Sequence, residues 1–169
     1  MSFDSQVLSP RNPRSPDGLS LLSTNNQAQQ STLNAIQVAT AQPADPTGTT
    51  STTGVMMGLS QVFTPTKTGR LKVTVQYIAN QNTTADGTTA QIAQGTGTAP
   101  VNGAAATGTL KGQPSTMTFL TGVLAVPDVL VAIITGLTLN TAVWIDVNLK
   151  AVTGGTASIT KVNVIIEEY

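Results

Sequence analysis

The sequence predicts an all-β protein: an antiparallel jelly-roll sandwich over residues 54–169, preceded by an extended, mostly irregular N-terminal arm over residues 1–53. Three observations carry this reading. Beyond Val55, apolar residues recur at alternate positions in segment after segment, the period of a half-buried strand. Turn chemistry punctuates those segments at short intervals. Before residue 53 the composition is rich in Pro, Ser, Gln, Asn and Thr, with apolar side chains too sparse to build a core.

Within the arm, residues 24–42 read two ways. Thr24 and Gln27 have capping-box spacing, with Leu33 and Ile36 on one side of a short helix. Ile36, Gln37 and Val38 alternate instead as a strand would.

The first strand of the sandwich is expected at 55–63. In RLKVTVQYIA, Leu71, Val73, Val75 and Tyr77 alternate with Lys72, Thr74 and Gln76. Further strands are expected at 88–94, 115–126 and 129–135. In TAVWIDVNLKAV, Val143, Ile145, Val147 and Leu149 alternate with Trp144, Asp146, Asn148 and Lys150. KVNVIIEEY places Val162, Val164 and Ile166 on one face and Ile165 on the other. The turns between them are TPTKTG at 64–69, ADG at 85–87, PD at 127–128, LN at 139–140 and TGG at 153–155. Short strands without βαβ alternation exclude an α/β fold. MTFLTGVLAV and LVAII are apolar on both faces, so either the arm or an associating subunit is expected to cover one of them.

The stretch VLAVPDVLVAIITGLTL, residues 123–139, is apolar enough to raise a membrane reading. Pro127 and Asp128 would put a helix break and a charge inside the span, so strands around a Pro-Asp turn are predicted and no membrane contact is expected. The N-terminus lacks a basic segment followed by an apolar run, which argues against a secretory signal.

Charge and residue inventory narrow the function classes. Charged residues make up 9% of the chain, with eight basic and eight acidic side chains scattered along it. Nucleic-acid binding needs a concentrated positive field, so no direct nucleic-acid contact is expected. With no Cys and no His, Ser-His-Asp and Cys-His catalysis and the usual zinc sites are impossible. The carboxylates available in the domain are Asp86 and Asp128 in turns, Glu167 and Glu168 near the chain end, and Asp146 on an outward strand position. None forms a persuasive acid/base pair, and no loop carries the clustered oxygens a calcium site needs. Asn82-Thr83-Thr84 matches a glycosylation acceptor, a match that chance supplies readily in so Thr-rich a chain.

The run GTGTAPVNGAAATGT, residues 95–109, begins like a phosphate-cradling glycine loop. It lacks the Gly-Lys-Ser/Thr ending of a P-loop and the third glycine of a dinucleotide fingerprint, so it reads as a connection between strands, and no cofactor is predicted. Trp144, Ile165 and Tyr169 are the candidate interface residues. For Trp144, packing against a neighbouring subunit or the arm outweighs stacking on a sugar.

The order GLSQVFTPTKTGRLKVTVQYIANQNTTADGTTAQIAQGTGTAPVNGAAATGT followed by TGLTLNTAVWIDVNLKAVTGGTASITKVNVIIEEY resembles a widespread family of small bacteriophage virion proteins. In that family a TPTKTGR-type turn precedes a strand, a DG turn leads to a GTGTAP-NGAAATGT segment, and a Trp or Tyr strand is followed by TGGTAS and a final strand. The resemblance covers residues 54–169, and the arm has no counterpart in it. It implies a jelly roll similar to the trimeric heads of tumour-necrosis-factor-like and complement-like proteins, used on virions as decoration, cement or fibre domains. This chain departs at TAQIAQG, where the family has an aromatic-containing strand ending of the QLRYG type. No catalytic residue carries over. The expected role is therefore a non-enzymatic head decoration or cement protein on the virion surface. In that role the arm docks on a major capsid protein or tail component and the jelly roll forms a homotrimer. A receptor- or glycan-binding tail module, using loops 80–87 and 95–109, is the alternative.

Overall fold

The computed structural model describes residues 37–84, 86–120 and 125–169, and the compact unit discussed below is Gln37–Tyr169. It contains nine strands: β1 (Gln37–Ala41), β2 (Val55–Met56), β3 (Gln61–Phe63), β4 (Leu71–Gln81), β5 (Gly87–Thr96), β6 (Thr109–Thr118), β7 (Ala125–Ile134), β8 (Val143–Ala151) and β9 (Ala157–Glu168). They form two antiparallel sheets, one in the order β1-β9-β4-β7 and the other β2-β8-β5-β6, with β3 also on β8.

β2 and β3 pair with successive parts of β8, Met56 opposite Asn148 and Gln61 opposite Ile145, so they are two halves of one strand interrupted at residues 57–60. Counted that way there are eight strands, ordered first-eighth-third-sixth and second-seventh-fourth-fifth, which is the winding of a jelly roll. The core is the inner face of both sheets, built from Leu71, Val73, Val75, Ile92, Ile134, Ile145, Val147, Ile159 and Val164 among others. The alternation read from residues 70–79 and 141–152 places Leu71, Val73, Val75, Ile145 and Val147 correctly.

Three expectations change. Strand β1 lies inside the stretch assigned to the arm. It runs antiparallel to β9 with Gln37 opposite Glu168 and Ala41 opposite Val164. Residues 42–53 then cross from one sheet to the other: Thr49 exchanges backbone hydrogen bonds with Ala157 at the start of β9 (2.7 and 2.9 Å), and the amide of Ala151 on β8 donates to Ser51 O (2.8 Å). These contacts are made by the main chain, which composition does not register. Of the ambiguous 24–42 segment, 37–41 is strand, and 24–36 lies outside the described residues.

Pro127 and Asp128 form no turn. They sit within β7 opposite Ile78 and Tyr77. β7 is an edge strand, where a residue without an N–H breaks no ladder. The expected strand at 115–126 is shifted as well, with β6 spanning Thr109–Thr118 and Phe119 buried just beyond it.

Two irregularities shape the sheets. Between Gln76 and Ile78, β9 carries one residue more than β4, a bulge at Lys161, whose φ is +52°. The bulge leaves the Lys161 amide without a ladder partner, and Asp45 Oδ1 accepts from it at 2.7 Å. On β6, three residues lie between Lys111 and Ser115 where β5 has only Gln91 between Ile92 and Ala90. Gln91 Nε2 reaches into that wider bulge and donates to Gly112 O at 2.8 Å. The bulge, Pro114, and Lys111 on the inner face opposite Ile92 all discourage edge-to-edge pairing along β6.

Candidate functional site

β8 is buried on both faces, and this decides where a site can lie. Its inner face meets the core. One half of its outer face is covered by the chain's own connections, 57–60 and 97–108. The other half is left open.

The glycine-rich connection lies over the outer face at Trp144. Its backbone joins β2 through Met56 N donating to Ala104 O (2.9 Å) and Gly103 N donating to Met56 O (2.8 Å). Asn102 Nδ2 adds bonds to the carbonyls of Thr47 and Met57 (3.1 and 3.2 Å). Trp144 packs with Met56, Ala93, Ala99 and Ala104, and its Nε1 donates to Thr96 O at 3.2 Å. Only 4% of Trp144 is exposed, so its role is corrected from subunit interface to internal anchor. The glycine-rich run 95–109 thus serves as the cover of a tryptophan.

Asp146 lies on the same outer face as Trp144, as its outward strand position implies, yet it is fully buried beneath the break between β2 and β3. Its carboxylate accepts from the amides of Gly58 (2.9 Å), Leu59 (3.0 Å) and Val147 (2.8 Å). Burial pushes its pKa above the ordinary value, with those amides pulling against it.

Two further carboxylates hold loops in the same manner. Glu168, fully buried at the end of β9, accepts from four successive amides of the TPTKTG turn: Thr66 (2.9 Å), Lys67 (2.8 Å), Thr68 (2.7 Å) and Gly69 (3.1 Å). Burial opposes its ionisation, and that nest of N–H groups overrides it, lowering the pKa to about 2. Asp86 ties its own turn to the 153–155 turn, accepting from the amides of Gly87 (2.6 Å), Thr153 (2.9 Å) and Gly154 (2.9 Å) and from the Thr153 hydroxyl (2.8 Å). Burial works against its charge here as well, and these donors hold its pKa below the usual carboxylate range. Glu167 pairs with Lys72 at 2.9 Å on the surface. Asp128 accepts from the Tyr77 hydroxyl, whose pKa is raised first by burial and then by Asp128. Each of these carboxylates is therefore committed to structure. Among the described residues, no three groups of metal-ligating type come together.

On the open half of the sheet, two rows of side chains cross three strands. Lys150 on β8 is opposite Thr89 on β5, which is opposite Thr116 on β6. Asn148 is opposite Gln91, whose neighbour on β6 is the bulge containing Pro114. Leu110, Gly54 and Ala106 complete the walls of a depression of about 470 Å³. Asn148 is only 9% exposed, and among the described contacts its sole hydrogen-bond partner is the weak acceptor Met56 Sδ at 3.9 Å. A Cβ at Gly54 would come within 2.0 Å of Asn148 Oδ1, so only glycine fits beside that amide.

The other sheet has a different outer face. Val129, Val131 and Ile133 on edge strand β7 are each about half exposed, at 49%, 49% and 52%. Val131 lies in a row with Thr74 and half-buried Ile165, and Ile133 in a row with Lys72, Glu167 and exposed Val38. These are the apolar positions of LVAII that the sequence expects something to cover. Tyr169 is exposed at the chain end, with the Arg70 guanidinium 5.1 Å from its ring centroid. Of the expected binding loops, 80–87 is anchored by buried Gln81 and Asp86, while Asn82, Thr83 and Thr84 are exposed. In 95–109, Val101 is exposed while the backbone is pinned down. The Asn82 amide is taken up by Thr156, whose N–H it accepts at 2.6 Å.

No family model matches the chain, and no curated protein matches it either. Among solved structures, the Eiger TNF from S. frugiperda is similar with a TM-score of 0.37 and 8% identity, over 78% of this chain and 85% of that one. Among the described residues, no helix is long and apolar enough to cross a membrane.

Proposed function

We propose that this chain is a non-enzymatic structural protein of a bacteriophage virion, a head decoration or cement protein whose jelly roll associates with copies of itself as a trimer. The observation that carries the reading is the β7 stripe. Val129, Val131 and Ile133 stand half exposed in a file on a sheet edge, next to Gln76, Thr74 and Lys72, the lysine neutralised by its ion pair with Glu167. A neutral apolar stripe fits a second copy of a chain whose net charge is zero better than a charged partner. Two further observations support it: the resemblance of residues 54–169 to small bacteriophage virion proteins, and the commitment of each described carboxylate to a loop, an ion pair or a tyrosine. Because residues 37–53 are engaged with the sandwich, docking on a capsid protein or tail component falls to residues 1–36.

Mass measurement of the full chain in solution tests this directly. A trimer that Val131→Asp converts to monomer is expected, and a wild-type monomer at micromolar concentration overturns the self-association. Docking is tested separately, by adding the chain with and without residues 1–36 to particles stripped of it. Equal binding by both forms overturns the anchoring role. The alternative, a glycan-binding module of a tail, is favoured by one specific feature, the depression on the outer face of the β8 sheet.

A further inference from the structure

The depression lined by Asn148, Lys150, Thr89, Gln91, Thr116 and Leu110 has no structural task that explains its make-up. Sheet faces left to solvent are ordinarily convex and laced with charge pairs. This one is recessed between the 97–108 connection and the β6 bulge, and it holds one cation and no acid. Lys150 makes no ion pair among the described residues. Asn148 is buried to nine-tenths, yet its amide finds only a thioether sulfur. A thioether is a weak acceptor, so the carboxamide keeps hydrogen-bonding capacity for a ligand in the depression.

The geometry points to a binding site for a single acidic sugar residue, a uronate-type pyranose of a polysaccharide. Amides and hydroxyls donate and accept at once, as sugar hydroxyls do, and here they stand in two rows across strands spaced about 4.8 Å apart. Thr89 and Thr116 already show that versatility, their hydroxyls 3.0 Å apart with either able to donate. Leu110 and Pro114 give an aliphatic wall for the C–H face of a pyranose. Lys150 supplies the charge that a sugar carboxylate would meet, a charge-assisted pairing stronger than a neutral one. A nucleotide fits poorly, since the pocket has no aromatic side chain for a base and a single cation for phosphates. The volume of about 470 Å³ falls within the usual range of small-molecule sites, roughly 300–1,000 Å³. Lys150, Asn148 and Gln91 belong to the sheet opposite the β7 stripe, so the assignment does not depend on self-association or on where the chain sits in a particle.

The test is a titration of the full chain with D-glucuronate, D-galacturonate, D-glucose and inorganic phosphate, followed by amide chemical shifts. At least one uronate is expected to bind in the millimolar range and shift residues of β5, β6 and β8. Glucose should bind about tenfold more weakly, the loss of one charge-assisted contact. Lys150→Met should reduce uronate binding to the glucose level, and Thr116→Trp, a filling substitution on an exposed edge position, should abolish both. Three results overturn the proposal: neither uronate binding, phosphate binding as tightly as the uronates, or uronate affinity unchanged in both variants while their spectra show an intact fold.

Discussion

A methyl group on Gly108 would stand 2.4 Å from Trp144 Cη2, and one on Gly95 would stand 2.3 Å from Cζ2. The two glycines that flank the connection are therefore the seat of the indole, and Gly108 also has a φ of +75°. Gly95→Ala and Gly108→Ala should each destabilise the sandwich by about 2 kcal/mol, since an aromatic ring wedged between strands has nowhere to go. Chemical denaturation at neutral pH measures this. Trp144 is the only tryptophan, so the same experiment reports its burial: the wild-type emission should stay blue and poorly quenched by acrylamide until the chain unfolds.

The break between β2 and β3 depends on one side chain. Asp146→Ala leaves the buried amide of Leu59 and those of Gly58 and Val147 without their acceptor. A loss of about 3 kcal/mol is expected from groups that cost roughly 1–3 kcal/mol each when unsatisfied. Asp146→Asn should recover part of that loss, because one amide oxygen can still accept from Leu59 and Val147. Equal stabilities of the alanine and asparagine variants would contradict this account.

Glu168 gives the domain an acid dependence of definite sign. Its folded pKa, about 2, lies below the ordinary 4.5, so its contribution is fully present above about pH 4.5 and is lost as pH falls toward 2. Asp86 acts in the same direction, and Asp146, whose pKa is raised, acts in the opposite one. Glu168→Gln should flatten the acid limb of a stability-against-pH curve and cost about 2 kcal/mol at neutral pH, where one backbone N–H would face an amide NH2. Denaturant midpoints from pH 2 to 7 for both proteins check it.

The Tyr77 hydroxyl is the partner of Asp128 inside edge strand β7. Tyr77→Phe should cost about 1–2 kcal/mol by leaving a half-buried carboxylate without its donor. Thermal unfolding of the variant and the wild type at neutral pH measures it.

Much of the sandwich was legible as period-two alternation, because one buried face per strand is what Leu71–Tyr77 and Val143–Leu149 encode. Alternation says that Trp144 and Asp146 face away from Val143 and Ile145. It does not say what lies over them, and here the cover is the chain's own 57–60 and 97–108 segments. The carboxylate anchors escaped the sequence for a related reason. Asp146 and Glu168 are satisfied by backbone amides roughly a hundred positions earlier, and every residue type but proline offers such an amide. Pro127-Asp128 looked like a turn because Pro and Asp are turn formers, and an edge strand tolerates both. The depression on the β8 sheet was illegible for lack of a motif. Its residues are common polar types that cross-strand register alone assembles.

The pairing of Gln37 with Glu168 has a consequence for how the domain could be rebuilt. Directly opposed residues of neighbouring antiparallel strands lie about 5 Å apart, so the start of β1 and the end of β9 are within reach of a few residues of linker. Joining Tyr169 to Gln37 would close the sandwich into a ring, which could be reopened at an exposed turn such as Leu139–Asn140 without unpicking a ladder.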